Sequence, residues 1–472
     1  MSLPVISIAQ MREWEKASWA AGKSEADVIR QVGKILAREI LRVTKANDSV
    51  LILAGKGHNG DDARCAREHL IDRHVHILEV TNADADLPKL ESVLASRPDW
   101  IIDGLFGIGI NRPLDAAWIK FIERVNATKL PVLAVDVPSG LNADTGEPQG
   151  AAIEAAVTLT VGAPKIGLLQ HRATRYVGQL VVAENTGLVA CPHHSELQWT
   201  VPGDFSSFPP RRPVAGHKGT FGHLAIVAGS LGYHGAAVLA SRGAQRAQPG
   251  LITLFTQENA YLPVAAQLQS TMVHHWSPEA ELPGKFSAVL IGPGLAAPDL
   301  PEQLKDAVRK LWREASVPVI ADASALDWLP HGSISKNVIR VVTPHPGEAA
   351  RLIKKPAADV QADRPAALRE ISRALGNTFV VLKGHQTLVG RGDGPIFVNS
   401  SGNPFLGQGG SGDTLSGYLA GLLAQPALQE DPALTIRYAV WQHGASADRL
   451  TRTHSNWIVE DLIETLGSVR EV

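Results

Sequence analysis

Short apolar runs alternate with segments of helical period along the whole chain, separated by glycine, proline and small polar residues. In the first half the runs predict buried strands at Val50–Ala54, Val75–Val80, Trp100–Asp103, Val132–Val137, Ala156–Thr160 and Leu180–Ala183. Ile8 to Val43 reads as helical, with Asp27, Arg30, Lys34 and Arg38 interleaved among Val28, Ile29, Ile35, Leu36 and Ile40. Ala63–Ile71 and Ala116–Val125 predict helices between strands. That rhythm predicts a parallel sheet covered by helices on both faces. It breaks at Thr200–Gly216, where Pro202, Gly203, Pro209, Pro210 and Pro213 exclude helix and central strand. The expected domains are therefore 1–205 and 211–472. A second series follows, with strands expected at His223–Val227, Leu251–Phe255, Ala288–Ile291, Val317–Ala321, Val338–Val342 and Thr378–Leu382. A hairpin is expected at Thr387–Val398, turning at Gly392-Asp393-Gly394, with terminal helices at Ser416–Leu423 and Leu434–Leu450. The halves differ in motif order, so they read as two α/β domains and not a tandem repeat.

Composition narrows the function. The 472 residues carry 45 Lys+Arg against 47 Asp+Glu, a net charge of -2, which excludes a basic nucleic-acid footprint and an acidic tail. Cys65 and Cys191 alone cannot build a disulfide framework or a cysteine zinc site. Met1 to Glu15 lacks the order of a signal peptide, and no apolar run approaches the ~20 residues that span a bilayer. A cytoplasmic protein acting on small molecules is expected.

Three segments fit G-x-G-x-x-G/A: Gly55–Gly60, Gly292–Ala297 and Gly407–Gly412. The first follows a strand, and Glu79 near the end of the next strand has the spacing of a dinucleotide fingerprint. Charge opposes that reading, because Asp61 and Asp62 open the helix where a pyrophosphate needs positive potential. The two carboxylates either cap the helix or serve a cation or an uncharged part of a ligand. Asp103 and Asp136 lie at strand ends, where ligands of open parallel sheets collect. Asn59, Asp103 and Ser139 would supply oxygens to a hard monovalent cation. In the second half, Gly409-Gly410-Ser411-Gly412-Asp413 before a helix predicts an anion hole with a base beside it. A helix-capping turn is the alternative. Lys383-Gly384-His385-Gln386-Thr387 could cradle further phosphate oxygens, and His345 leaves a strand into a Pro-bracketed turn suited to a ligand contact. Gly22-Lys23-Ser24 lacks the first glycine and strand of a phosphate loop, and the paired histidines lack zinc-ligand partners.

Together these motifs resemble the bifunctional NAD(P)H-hydrate repair enzymes. The second half carries the closer match, through Lys218-Gly219 to Gly229-Ser230, Tyr233–Ala236, Gly292–Leu295, Thr343–Glu348, Lys383–Thr387 and Asn403-Pro404 to Gly409–Asp413. The resemblance implies a Rossmann-like three-layer αβα NAD(P)HX epimerase domain and a ribokinase-like αβα domain that dehydrates NAD(P)HX with ADP, giving AMP and phosphate. It implies that Ala236, Gly294, His345 and Asp413 contact the hydrated nucleotide, and that Lys383, Gly384, His385, Gln386, Thr387 and Gly412 hold the adenine nucleotide, with Mg²⁺ screening its phosphates. In the first domain it places potassium on Asn59, Asp103 and Ser139. Substrate falls on His58, Asn59, Gly60, Asp61, Asp62, Gly107, Ile108, Gly109, Ile110, Asn111, Arg112, Pro113 and Asp136. Asp413 and Asp136 are the expected catalytic groups, and Lys165 matches a family lysine. The family's Asn-Asn-Gly-Gly-Asp-Gly loop is here His58-Asn59-Gly60-Asp61-Asp62-Ala63, and Arg30 stands where glutamate is common. NADHX and NADPHX are the expected substrates, and the expected protein is a homo-oligomer without membrane or nucleic-acid partners. The alternative is a ribokinase-like small-molecule kinase with a non-catalytic nucleotide-binding module.

Overall fold

The structure, a computed structural model, describes residues 2–110, 112–280, 282, 284–334 and 338–470. Its chain forms two compact units, Leu3–Ser195 and, with Ser2, the chain from Glu196 onward. The first unit is built on parallel strands β1 (Ser49–Ala54), β2 (His74–Glu79), β3 (Trp100–Gly104), β4 (Val132–Val135), β5 (Val157–Val161) and β6 (Gln179–Ala183) in the order β2-β1-β3-β4-β5-β6. β1 is apolar and buried from Val50 to Ala54 because both its faces are covered there. Leu51 and Leu53 join Leu90 and Phe121 on one side, while Val50 and Ile52 join Leu36 and Ile40 on the other. The chain reverses direction across the sheet at β1, so a crevice opens beyond the carboxyl ends of β1 and β3.

The helical pattern from Ile8 to Val43 is two helices, α1 (Ile8–Ala20) and α2 (Glu25–Val43), parted at Gly22, whose φ of 80° is left-handed. Ser7 and Gln10 form a capping box on α1, and Ser24 caps α2. The next helix, α3 (His58–Ala66), starts and ends earlier than the expected Ala63–Ile71. Its early start needs glycine: a Cβ at Gly60 would lie 2.2 Å from the Gly55 carbonyl oxygen.

The second unit contains β7 (Leu197–Trp199), β8 (His223–Val227), β9 (Leu251–Thr256), β10 (Met272–His275), β11 (Ala288–Ile291), β12 (Val319–Ala321), β13 (Arg340–Val342), β14 (Phe379–Leu382), β15 (Leu388–Gly390) and β16 (Ile396–Val398). They run β7-β16-β15-β14-β13-β12-β11-β8-β9-β10, parallel except for the two pairings made by β15. β7 pairs with β16, which moves the end of the first unit ahead of the proline-rich stretch to Ser195. β10 has no counterpart in the sequence expectation, since Met272–His275 is short and mostly exposed. The reversal lies at β8, flanked by β9 and β11, again with glycine turns beyond the strand ends.

Helices α4 (His234–Ala247) and α5 (Ser411–Leu423) lie side by side in the same direction. Their backbones touch: a Cβ at Gly417 would sit 1.9 Å from the Ala240 oxygen, and one at Gly243 2.4 Å from the Thr414 oxygen. Both N-termini consequently face the same end of the unit. Among the described residues, no helix is long and apolar enough to cross a membrane.

Candidate active sites

In the first unit a cavity of about 930 Å³ occupies the crevice. His58, Asn59, Asp62, Asp136 and the segment Gly107–Ile110 with Arg112 and Pro113 line it. Asn111 lies outside the described residues. Gly60 and Asp61 do not line the cavity. Gly60 is buried in the turn, and the Asp61 carboxylate turns away to accept from Arg64 Nη1 at 2.8 Å. Arg64 also donates to both carboxylate oxygens of Glu79 and to the Gly55 carbonyl. Glu79, the acid of the dinucleotide fingerprint, is thus committed to a side-chain ion pair, and that hydrogen bond lowers its pKa.

Asp103 and Ser139 are fully buried and meet at the strand ends. Ser139 Oγ donates to Asp103 Oδ1 at 2.6 Å, and the Ser139 amide donates to Oδ2 at 2.8 Å. Phe106 N donates to Ser139 Oγ at 2.8 Å, and Asn59 Nδ2 donates to the Phe106 carbonyl at 2.9 Å. Burial outweighs these hydrogen bonds and pushes the Asp103 carboxyl up to about 6. The donor set is one buried carboxylate with hydroxyl, amide and carbonyl oxygens around it. That composition fits a weakly hydrated monovalent cation, whose charge would keep Asp103 ionised.

Asp136 has a left-handed φ of 62°, a conformation costly for a residue other than glycine. Its Oδ1 accepts from Lys165 Nζ at 2.6 Å, Val161 N at 3.0 Å and Thr160 Oγ1 at 3.2 Å. Lys165 is fully buried and also donates to Thr160 Oγ1 at 3.0 Å and the Val161 carbonyl at 2.9 Å. All three ammonium hydrogens therefore have acceptors, and the lysine fixes Asp136 at the cavity wall. Asp62 differs. Burial, then Asp136, Asp61 and Glu15, push its carboxyl up to about 8. Glu15, whose carboxyl is raised mainly by burial, was not found from the sequence because α1 is remote from every loop motif.

The raised Asp62 pKa gives a stability prediction. Between the unfolded value near 3.8 and the folded value of about 8, the folded state binds the extra proton. Its contribution is complete below the unfolded pKa and is lost as pH rises through about 8. Asp62→Asn should therefore melt progressively higher than the parent as pH rises across that window, by about 2–4 °C per kcal/mol. Melting curves at several pH values check this, and a constant difference would contradict it.

In the second unit, Gly410 enters α5 with a φ of 94°, which sets the Gly412 amide at the helix start, while the Ser411 amide donates to the Gln408 carbonyl at 3.3 Å. Asp413 stands in the first turn, pushed up to about 6 by burial and by Asp322 and Glu348, against the lowering effect of Lys383. Lys383 Nζ lies 2.9 Å from Asp322 Oδ1 and 4.0 Å from Glu348 Oε2. A Cβ at Gly412 would come within 3.3 Å of the same ammonium. The expected nucleotide lysine and the expected anion hole are therefore neighbours. Burial opposes the Lys383 charge, yet the carboxylates outweigh it and raise its pKa.

His345 caps the helix Pro346–Ile353, its Nδ1 accepting from Gly347 N at 3.0 Å, while Glu348 Oε2 accepts from His345 N at 2.8 Å. Its ring remains half exposed. Gly294, at φ 65°, packs against Ala236, with a virtual Cβ only 2.9 Å from the Ala236 methyl. Ser230 Oγ donates to the Gly294 carbonyl at 2.7 Å and accepts from the amides of Ala296 and Ala297. The loop Lys383–Thr387 is shaped by Arg364, whose guanidinium donates to carbonyls of Leu382 at 3.0 Å, Gln386 at 3.3 Å and His385.

Asp322, Glu348 and Arg364 carry no role in the sequence expectation. Asp322 follows β12 as Asp103 and Asp136 end or follow their strands, so the strand-end rule reaches it; Arg364 sits on a different element with no motif.

Lys383→Met should weaken ADP binding ~10–100-fold. A surface charge would give a loss that fades in salt, but this side chain is only 20% exposed between two carboxylates. Calorimetric titration at low and high salt should therefore show nearly the same loss.

The fold and these polar clusters define a two-domain α/β enzyme whose second half is ribokinase-like. Residues 224–467 match the family described as NAD(P)H-hydrate dehydratase, and residues 76–167 match the YjeF-related protein N-terminus. The chain is 36% identical to the bifunctional NAD(P)H-hydrate repair enzyme of Gloeobacter violaceus, over 96% of this chain and 94% of that one. It is 32% identical to the enzyme of the same description from Coxiella burnetii, over 93% of each. The second unit resembles the ADP/ATP-dependent NAD(P)H-hydrate dehydratase of Bacillus subtilis, co-crystallized with ATP/Mg²⁺, with 33% identity and a TM-score of 0.51. That likeness covers 57% of this chain and 95% of the other. A ribokinase-like superfamily protein of Enterococcus faecalis gives a TM-score of 0.50 at 26% identity, over 58% and 96%. The chain belongs to the bifunctional NAD(P)H-hydrate repair enzymes.

Proposed function

We propose that the first unit interconverts the R and S forms of NAD(P)HX and that the second dehydrates the S form at the expense of ADP. The observation that carries the second activity is Asp413, half-buried in the first turn of α5 beside Gly412 and Lys383. Asp413 takes the proton of the ring C6 hydroxyl as that oxygen attacks the terminal phosphorus of ADP, and AMP leaves. Hydroxide is a poor leaving group, whereas phosphate is a good one. The N1 lone pair expels phosphate from C6, a proton departs from C5, and the dihydronicotinamide returns. The Gly412 amide and Lys383 face the charge that develops in phosphoryl transfer. Ala236, Gly294 and His345 position the hydrated nucleotide, and Lys383–Thr387 with Gly412 hold the adenine nucleotide. Among the described residues no three His, Cys, Asp or Glu side chains are grouped to hold a metal. Mg²⁺ would therefore arrive largely coordinated by nucleotide phosphates and water, and would neutralise their charge.

In the first unit, Asp136, fixed by Lys165, accepts the C6 hydroxyl proton, and the protonated Asp62 returns one to N1 as the C6–N1 bond opens. Closure on the opposite ring face gives the other epimer. His58, Asn59 and the segment from Gly107 to Pro113 hold the nucleotide, and Asn59, Asp103 and Ser139 hold potassium. The single assay is direct: NADHX, ADP and Mg²⁺ with the protein should restore the dihydronicotinamide absorbance. A stable phosphorylated product without that absorbance would mark a kinase instead.

A further inference from the structure

A second large cavity, of about 1280 Å³, opens within the C-terminal unit, where neither proposed activity has a role for it. α5 presents Tyr418 and Leu422 to it, about 8–14 Å along the helix from Asp413. The volume is more than enough for a ligand of nucleotide size.

Its walls combine two chemistries. Among the described residues, Arg211, Arg212, Arg246 and Arg470 line it against a single acid, Glu464, and that carboxylate is already paired with Arg246. Phe208, Phe221, Tyr438 and Trp441 supply the apolar surface, with Phe208 packed edge-on against Tyr438 at 4.9 Å. Arg212 is held in place without being neutralised. Its Nη2 donates to Gln425 Oε1 at 3.0 Å and to the Gln248 carbonyl, and its guanidinium lies 4.3 Å over the Phe221 ring. Among the described residues, neither Arg211 nor Arg212 has a carboxylate partner. A fixed guanidinium on an aromatic face, with no carboxylate, is prepared for an anion.

One buried polar atom adds a third requirement. Gln442 is 1% exposed and donates through Nε2 to the Val469 carbonyl at 2.6 Å. Its Oε1 is buried and accepts no hydrogen bond of normal length among the described residues, although the Tyr438 hydroxyl lies beside the same amide. Gln442 lines the same cavity. A buried acceptor without a full hydrogen bond is costly, and a ligand N–H or O–H would relieve it.

We propose that this cavity is a further ligand site, taking an organic anion that bears an aromatic ring and an N–H or O–H donor. The arginines take the anionic group, the ring lies among Phe208, Phe221, Tyr438 and Trp441, and Gln442 accepts from the donor.

The probe is 1-anilinonaphthalene-8-sulfonate, which carries rings, a sulfonate and one N–H. Fluorescence titration of the full chain, with ADP and NADP⁺ saturating, should show one bound probe per chain. N-phenyl-1-naphthylamine, the same rings without the sulfonate, should bind at least ten times more weakly. Arg212→Gln and Arg211→Gln should each weaken the sulfonate probe about tenfold, while dehydratase turnover stays at the parent level. Arg211 is exposed, so its variant keeps the test decisive should Arg212→Gln disturb the fold. Equal binding of the neutral probe, unchanged binding in the arginine variants, or full displacement by ADP or NADP⁺ would each overturn the proposal.

Discussion

Asp413→Ala is expected to lower dehydration of S-NADHX by ~10²–10⁴-fold while ADP affinity changes little. The loss is large because in the proposed mechanism the carboxyl is the proton acceptor, and among the described residues Asp413 is the acid of the first turn of α5. Affinity survives because the Gly412 amide and the Lys383 ammonium remain. The same carboxyl sets the acid limb of the pH profile. Its pKa is raised to about 6, so activity should fall as pH drops through that value and the base becomes protonated. Single-turnover rates between about pH 5 and about pH 8 check the loss and the acid limb. Near-parental turnover in the variant would remove Asp413 from the mechanism.

The second large effect concerns a mixture of the two hydrates. The parent should recover nearly all of the reduced nucleotide, since each R molecule is converted as the S form is consumed. Asp136→Asn should show a fast phase equal to the S fraction, then a slow tail set by spontaneous epimerisation. Asparagine is the informative replacement. Its carbonyl oxygen can still accept from Lys165 and Val161, whereas alanine would remove that acceptor together with the countercharge. Unchanged biphasic amplitude between parent and variant would mean that Asp136 moves no proton. A parent that itself stops at the S fraction would assign the change to Asp61 and His58.

Sequence alone reached the fold where burial is complete. β1, β8 and β11 are apolar on both faces, and their runs leave little choice of period. It reached less where structure depends on contacts distant in the chain. The split at Gly22 rests on one left-handed turn inside a pattern that otherwise continues as helix. β7 rests on pairing with β16, almost two hundred residues away (~200, a separation no local pattern encodes). Site residues follow the same division. Asp103, Asp136 and Asp413 sit at strand ends or a helix start, places that the order of elements marks. What Lys165 does was not legible, because its partner Asp136 lies in another loop and the pairing exists only once β5 is beside β4. The charge feared at Asp61 is met by Arg64, a residue on the same helix whose direction a pattern does not specify.

The glycine contacts between α4 and α5 limit how this half of the enzyme can be altered. With backbone against backbone at Gly243 and Gly417, neither helix can slide or rotate to enlarge the space at their common end. Ala236 and Asp413 are thereby kept at a constant separation through any change of specificity. Redesign for a bulkier or smaller substrate has to work through the turns at Ser230–Tyr233 and Gly292–Leu295, whose insertions would leave the helix pair intact. Selection on a new substrate should accumulate changes in those turns and spare the two glycines.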